Sequence, residues 1–307
     1  MATRIGILDY PGAQASAVLG LRDLLEEASR LHKLRGGAGL DVAVLAGLPA
    51  LDAPLTALVL PPALGGEPAS DPKRPAWLTA RHREGTLLCS VCMGAMLLAE
   101  TGLLAGRPAT THWGLRARFA ERFPAVLLDT DRLVIDDGDL MTAGGLMAWV
   151  DLGLRLVTRF LGPEAMLATA RQLLVDPGGR EQRFYSTFAP VLTHGDPAIL
   201  RAQAWLQAHG GGKVDVPAMA GAARLGERTF QRRFKRATGL RPTEYLQHLR
   251  VGRARELLER PGLGVDEIAW RVGYEDPGAF RKIFLRLMGL SPGEYRRRFG
   301  TGASQDA

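Results

Sequence analysis

Cysteine is nearly absent from this chain: 307 residues hold two, Cys89 and Cys92. With no secretion signal in view, so few thiols exclude a disulfide scaffold and point to a reducing cytoplasm. Long apolar runs are missing too. None approaches the roughly 18 residues that a membrane span needs, so no membrane partner is expected. The opening stretch MATRIGILDY reads as a strand and lacks the basic start and apolar core of a signal peptide. Metal-ligand clusters are also wanting: the C-x-x-C of Cys89 and Cys92 has too few ligands nearby for a zinc site. No metal or cofactor is therefore expected.

What is present is length, ordinary composition and an uneven charge. A chain of 307 residues, 46% hydrophobic and 23% charged, suits two soluble domains that each bury a core. Residues 201–300 hold 20 of the 39 Lys+Arg but 10 of the 32 Asp+Glu. The remainder is slightly acidic, so the whole positive excess lies in the last third. A basic module joined to a separate body suits a polyanion partner; a solvated basic surface is the plainer alternative.

Residues 1–175 alternate short apolar runs with amphipathic segments. RIGILDY, LDVAVLA, TALVLPP and GTLLCSV read as strands, with helices over 15–30, 73–83, 94–104 and 113–122. That alternation predicts parallel strands with crossover helices. AVLLDTDRLVIDDGDLMTAGG reads as a small antiparallel set closing the sheet, followed by a helical stretch over 145–174 broken near LGPEA. Turn formers dominate 176–196, which is taken as the linker. The second domain is expected over 197–300, with a disordered tail over 301–307. GGG at 210–212 reads as a loop within that domain. Trp113, Trp149 and Trp270 lie on helical patterns and are expected in the core.

The last third repeats itself. FQRRFKRATGLRPTEY at 230–245 and FRKIFLRLMGLSPGEY at 280–295 share F-x-x-x-F-x-x-x-x-G-L-x-P-x-x-Y, each match 50 residues apart. A short helical pattern and a turn precede each copy, so each reads as helix–turn–helix. Phenylalanines at i and i+4 would anchor the second helix of each pair. Burying Phe230 and Phe234 turns Arg228, Gln231, Arg232 and Lys235 outward. Arginine matches guanine edges and glutamine matches adenine edges in the major groove of duplex DNA. Arg281 and Lys282 of the second copy are offered similarly, with mostly phosphate contacts expected there because DPG has little reach.

These residues, and above all I-A-x-x-V-G-Y-x-D at 268–276, resemble the AraC/XylS class of bacterial transcription regulators. The resemblance implies an all-α domain of seven helices with two helix–turn–helix units that enter successive major grooves. It places base reading on Arg228, Gln231 and Arg232, and on Pro277, Gly278, Arg281 and Lys282. This chain departs from the family pattern at Arg224, where Gly is usual, and at Gly226 and Gly278, where a hydroxyl side chain is common.

LCSVCMGAM at 88–96 sets Cys92 where a strand breaks into a helix. Backbone amides at such a turn lower a thiol's pKa, and Gly94 allows the close packing of a nucleophile elbow. A small buried cysteine is the alternative. The wider stretch SVCMGAMLLAETGLLAGRPATTHW resembles the DJ-1/PfpI group of glutamine amidotransferase-like proteins. That resemblance implies an α/β first domain, a flavodoxin-like parallel sheet with flanking helices. Cys92 falls on the elbow cysteine and His112 on its partner. The usual acidic residue is replaced by Ala17, and P-G-G by PPA, whose Pro62 has no amide to offer an oxyanion.

The expectation is a non-catalytic sensor joined to a DNA reader. Cys92 and His112 would line a pocket for a small-molecule effector, open to oxidants as a secondary role. Double-stranded DNA is the expected partner, with RNA polymerase as a further contact and a homodimer as the assembly. The alternatives are a cysteine hydrolase, hydratase or glyoxalase using Cys92, and a basic RNA-binding or scaffold protein.

Overall fold

The computed structural model describes residues 3–48 and 54–301. They form two compact units, Met1–Arg183 and Phe184–Ala307. The division falls inside the stretch read as a linker, whose first part, through Arg183, is built into the first unit. Of the expected tail, residues 302–307 lie outside the described residues.

The first unit begins β1 (Thr3–Asp9), α1 (Ala15–Lys33), β2 (Leu40–Ala46), β3 (Ala57–Leu60), α2 (Arg74–Arg83), β4 (Leu87–Val91) and α3 (Gly94–Ala99). It continues β5 (Pro108–Ala109), α4 (Arg116–Arg122), β6 (Leu127–Leu128), β7 (Val134–Asp136), β8 (Leu140–Ala143), α5 (Trp149–Leu161) and α6 (Pro163–Gln172). Six strands make one sheet in the order β2-β1-β3-β4-β8-β7. All neighbours run parallel except β7, which pairs antiparallel with β8.

Period-two alternation gives the sheet two cores. Ala57 and Val59 of β3, with Leu87, Cys89 and Val91 of β4, join α1 and α5 on one face. Leu58, Leu60 and Leu88 join α3 and Phe119 of α4 on the other. Small residues set the helix packing. A methyl at Gly20 of α1 would run into the Trp149 ring of α5, and one at Gly153 would press on Leu24.

The expected antiparallel set over 125–145 is corrected in part. Only β7 and β8 pair antiparallel, β8 continues the parallel sheet beside β4, and β6 pairs parallel with β5. The helix expected over 94–104 ends at Ala99. The stretch expected over 145–174 is broken at Gly162, whose φ of 92° no helix residue adopts.

The second unit is helical: α7 (Pro197–His209), α8 (Val216–Ala223), α9 (Glu227–Thr238), α10 (Pro242–Leu258), α11 (Val265–Arg271), α12 (Pro277–Met288) and α13 (Pro292–Phe299). It has two cores. One gathers Phe230, Phe234, Tyr245 and Leu246; the other gathers Ile268, Phe280, Phe284 and Tyr295. α10 serves both, giving Tyr245, Leu246 and Leu249 to the first and Val251, Ala254 and Leu258 to the second. Its 17 residues make a strut about 25 Å long. The glycines at 210–212 link α7 to α8, and Arg250 of α10 donates to the carbonyls of Gly210 and Gly212 at 2.9 and 2.7 Å.

Trp270 is a correction. It is 59% exposed, because α11 buries Ile268 and Ala269 and a residue two positions after Ile268 points the opposite way. Trp113 and Trp149 are half-buried.

Candidate functional site

The repeat in sequence is a repeat in packing. Phe230 stands 5.3 Å from Phe234, which stands 5.2 Å from Tyr245, edge to face. In the second copy Phe280, Phe284 and Tyr295 follow one another at 5.6 Å. All six rings are buried. Gly239 and Gly289 end α9 and α12 with φ of 78° and 72°, a conformation only glycine adopts without strain. Pro242 and Pro292 then open α10 and α13, with Glu244 and Glu294 accepting from the Arg241 and Ser291 amides at 2.9 and 2.7 Å. The repeated Phe, Gly, Pro and Tyr positions each have a mechanical task.

The wedge leaves one stripe of α9 outside. Arg228, Gln231, Arg232 and Lys235 fall at i, i+3, i+4 and i+7 and are all exposed. Arg232 also borders a basic surface concavity with Thr229, Arg233 and Arg236. Arg233 is half-buried and already paired. It grips Asp196 through two bonds of 2.9 and 2.7 Å, and Asp196 in turn caps α7 at the Ala198 and Ile199 amides. The Arg233 guanidinium holds the Asp196 carboxyl below the usual carboxylate range.

The matching stripe of α12 is Gly278, Arg281, Lys282 and Leu285. Arg281 and Lys282 are exposed, and Leu285 is 49% exposed. Arg281 is paired with Asp266 of α11. The second stripe therefore offers less free positive charge than the first. Its helix start is better capped, since Asp276 accepts from the Gly278 and Ala279 amides at 2.7 and 3.1 Å. α9 begins at Gly226 with no side-chain cap. Arg224 sits left-handed with φ 56°, the conformation that Gly273 adopts in the second turn at φ 93°. Sequence reasoning missed the Asp266 and Asp196 partners, which carry no periodic signal.

In the first unit Cys92 is left-handed as well, with φ 53°, at the sharp turn between β4 and α3. Gly94 makes the turn feasible, because a methyl there would meet the Leu60 carbonyl. The Cys92 amide donates to Ala143 O at 2.7 Å. Burial dominates its chemistry: the side chain is 5% exposed. Desolvation pushes the thiol up to about 11, against a partial downward pull from the Met93 and Gly145 amides. Cys89 is fully buried and pushed up further by desolvation. Both cysteines are free.

His112 lies one residue from Thr111, whose hydroxyl donates to Cys92 O at 2.7 Å. The His112 ring accepts from the Gly114 amide at 3.0 Å, and burial lowers its pKa. The loop after β3 presents carbonyls. Tyr10 Oη donates to Pro61 O at 2.5 Å and the Gln14 amide to Pro62 O at 2.8 Å. Neither proline has an amide to give. Ala17 is buried in α1 and brings no carboxylate.

Gln182 is a residue the sequence did not mark. It is 2% exposed, and its Nε2 lies 2.9–3.0 Å from Thr111 O, Thr110 Oγ1 and Arg132 O. Its Oε1 accepts from the Trp113 amide at 3.1 Å. The space it fills exists because residue 144 is glycine; a methyl there would overlap the Gln182 amide. Gln182 thus brackets His112 and stands next to the end of the first unit.

Among the described residues, no three His, Cys, Asp or Glu converge as a metal site, and no helix is long and apolar enough to cross a membrane.

Comparison with known proteins places these two arrangements. Residues 38–159 match the DJ-1/PfpI family, and residues 219–298 match a helix-turn-helix domain. The chain is 28% identical over 222 residues to the HTH-type transcriptional regulator GbdR of Pseudomonas aeruginosa (strain UCBPP-PA14), covering 72% of this chain and 60% of that protein. It is 29% identical over 252 residues to the HTH-type transcriptional regulator GlxA of Rhizobium meliloti (strain 1021), covering 77% and 74%. A solved DNA-binding domain of AdpA, a global transcriptional factor in complex with a target DNA, is 38% identical. It covers 33% of this chain and 92% of that one, with a TM-score of 0.32. This chain thus joins a DJ-1/PfpI-family domain to an AraC-type helix-turn-helix domain.

Proposed function

We propose that this chain is a sequence-specific transcription regulator that binds double-stranded DNA through its second unit and senses a small molecule through its first. The observation that carries the reading is the exposed stripe of Arg228, Gln231, Arg232 and Lys235 on a helix wedged by two buried phenylalanines. Those side chains have the donors and reach that major-groove edges require. Arg281 and Lys282 supply a second, weaker contact, with Arg281 shared with Asp266. The relatives GbdR and GlxA, named as transcriptional regulators, support the same reading.

The first unit acts without catalysis. A thiol pushed up to about 11 is almost wholly protonated near neutral pH, and prolines replace an oxyanion donor. Cys92 and His112 instead form part of a responsive pocket, and Gln182 carries its state to the end of the unit. The regulator works in the cytoplasm as a homodimer, where pairing two readers raises effective concentration, and it meets RNA polymerase at its promoters.

Footprinting the purified full-length protein on genomic fragments at moderate salt tests the reading. Discrete protected sites are expected. Absence of any protected base pair would overturn it, and substrate turnover that vanishes in Cys92→Ser would favour an enzyme.

A further inference from the structure

The first unit contains a concavity whose lining includes neither Cys92 nor His112. A cleft of about 290 Å³ opens between β7, α5 and the loop over 177–181. Its size sits at the lower edge of ligand pockets, about 300 Å³, and suits a small metabolite.

The lining has a definite charge arrangement. Arg180 is spent, because it forks onto Asp151 of α5, with one bond of 3.2 Å. Arg132 and Arg155 line the same cleft, and their guanidinium groups have no protein partner among the described residues. Two free guanidinium groups facing one cleft favour a carboxylate, the anion whose planar fork they match. Glu181 lines the cleft half-buried, also with no partner. An unpaired carboxylate in the same cleft as two arginines calls for a ligand that also carries a cationic or donor group. Leu154 and Met166 add apolar lining.

We propose that this cleft binds a small zwitterionic carboxylate, with Arg132 and Arg155 on its carboxylate and Glu181 on its cation. The site sits well for regulation. Arg132 holds Gln182 through its carbonyl at 2.9 Å, and Glu181 is the residue before it. A ligand that draws Arg132 and Glu181 together therefore acts on the side chain that brackets His112. The effector role rests on the regulator reading above; the binding does not.

Isothermal titration of the full-length protein with γ-aminobutyrate, succinate and butyramide tests the site. Saturable binding of γ-aminobutyrate is expected, with succinate at least tenfold weaker and butyramide silent. Arg155→Ala, at an exposed position and checked by an unchanged melting temperature, should weaken γ-aminobutyrate at least tenfold. Glu181→Gln should bring succinate level with it. No saturable binding of either carboxylate, or equal affinity in Arg155→Ala, overturns the site. Succinate binding the unmodified protein as tightly as γ-aminobutyrate overturns the role of Glu181. Footprints on the same preparation separate the two readings: binding without footprints removes the regulator, and footprints without binding remove the cleft.

Discussion

Gln182 donates from its side-chain amide to the carbonyl of Thr111 at 2.9 Å, across 71 positions of sequence. The bond ties the end of the first unit to the segment that carries His112 and, through Thr111 Oγ1, to the backbone of Cys92.

Gln182→Ala would leave the part-buried Trp113 amide and the buried Thr111 carbonyl without that partner. An unsatisfied buried group costs about 1–3 kcal/mol, so urea unfolding of the first unit should show a loss of that size. Gly144→Ala should produce a similar loss, because its methyl takes the same space. Unchanged midpoints in both variants would show that the bracket carries no weight.

Cys92 should be slow to alkylate. Burial raises its pKa to about 11, so the thiolate appears only as pH climbs toward that value. At pH 7 about one thiol in 10,000 is ionised, against roughly one in thirty for an unperturbed cysteine. Iodoacetamide labelling followed by intact mass should therefore be on the order of a few hundredfold slower than for free cysteine, and should accelerate steadily between pH 7 and 10. Rapid labelling at pH 7 would mean a nucleophile after all.

Much of this was legible beforehand, and the reason is physical. The wedge in the second unit requires particular residues at particular spacings: rings at i and i+4, a left-handed glycine, a helix-opening proline. Identity at 50-residue intervals therefore reports packing directly. Parallel strands were equally plain, because both faces of β3 and β4 are buried and their letters are apolar throughout. The Cys92 elbow was visible from Gly94. What escaped were single polar residues whose partners are distant in sequence. Gln182 looks like any glutamine in a turn-rich stretch, and nothing near Asp266 announces Arg281. Trp270 misled because its size suggested burial, whereas the face of α11 was set by Ile268 and Ala269.

Asp266 restrains the second reader by holding Arg281. Asp266→Asn should free that guanidinium for phosphate, raising overall DNA affinity modestly and steepening the salt dependence by about one unit of slope. Filter binding across 50–200 mM salt would measure both. An unchanged slope would place Arg281 away from the DNA.

Arg224 adopts φ 56° without the freedom of glycine. Arg224→Gly should relieve strain of about 1 kcal/mol, partly offset by the added flexibility of the unfolded chain. A small rise in the melting temperature of the second unit is expected. A fall would show that the Arg224 side chain contributes more than its backbone strain removes.

The most direct test of the account compares the base preferences of the unmodified protein and Arg232→Ala, selected from random duplexes. A defined motif is expected for the unmodified protein. For Arg232→Ala the motif should relax at one or two positions, with specific binding weaker by about 1–3 kcal/mol. The same motif bound with the same affinity by both would contradict the claim that α9 reads the bases.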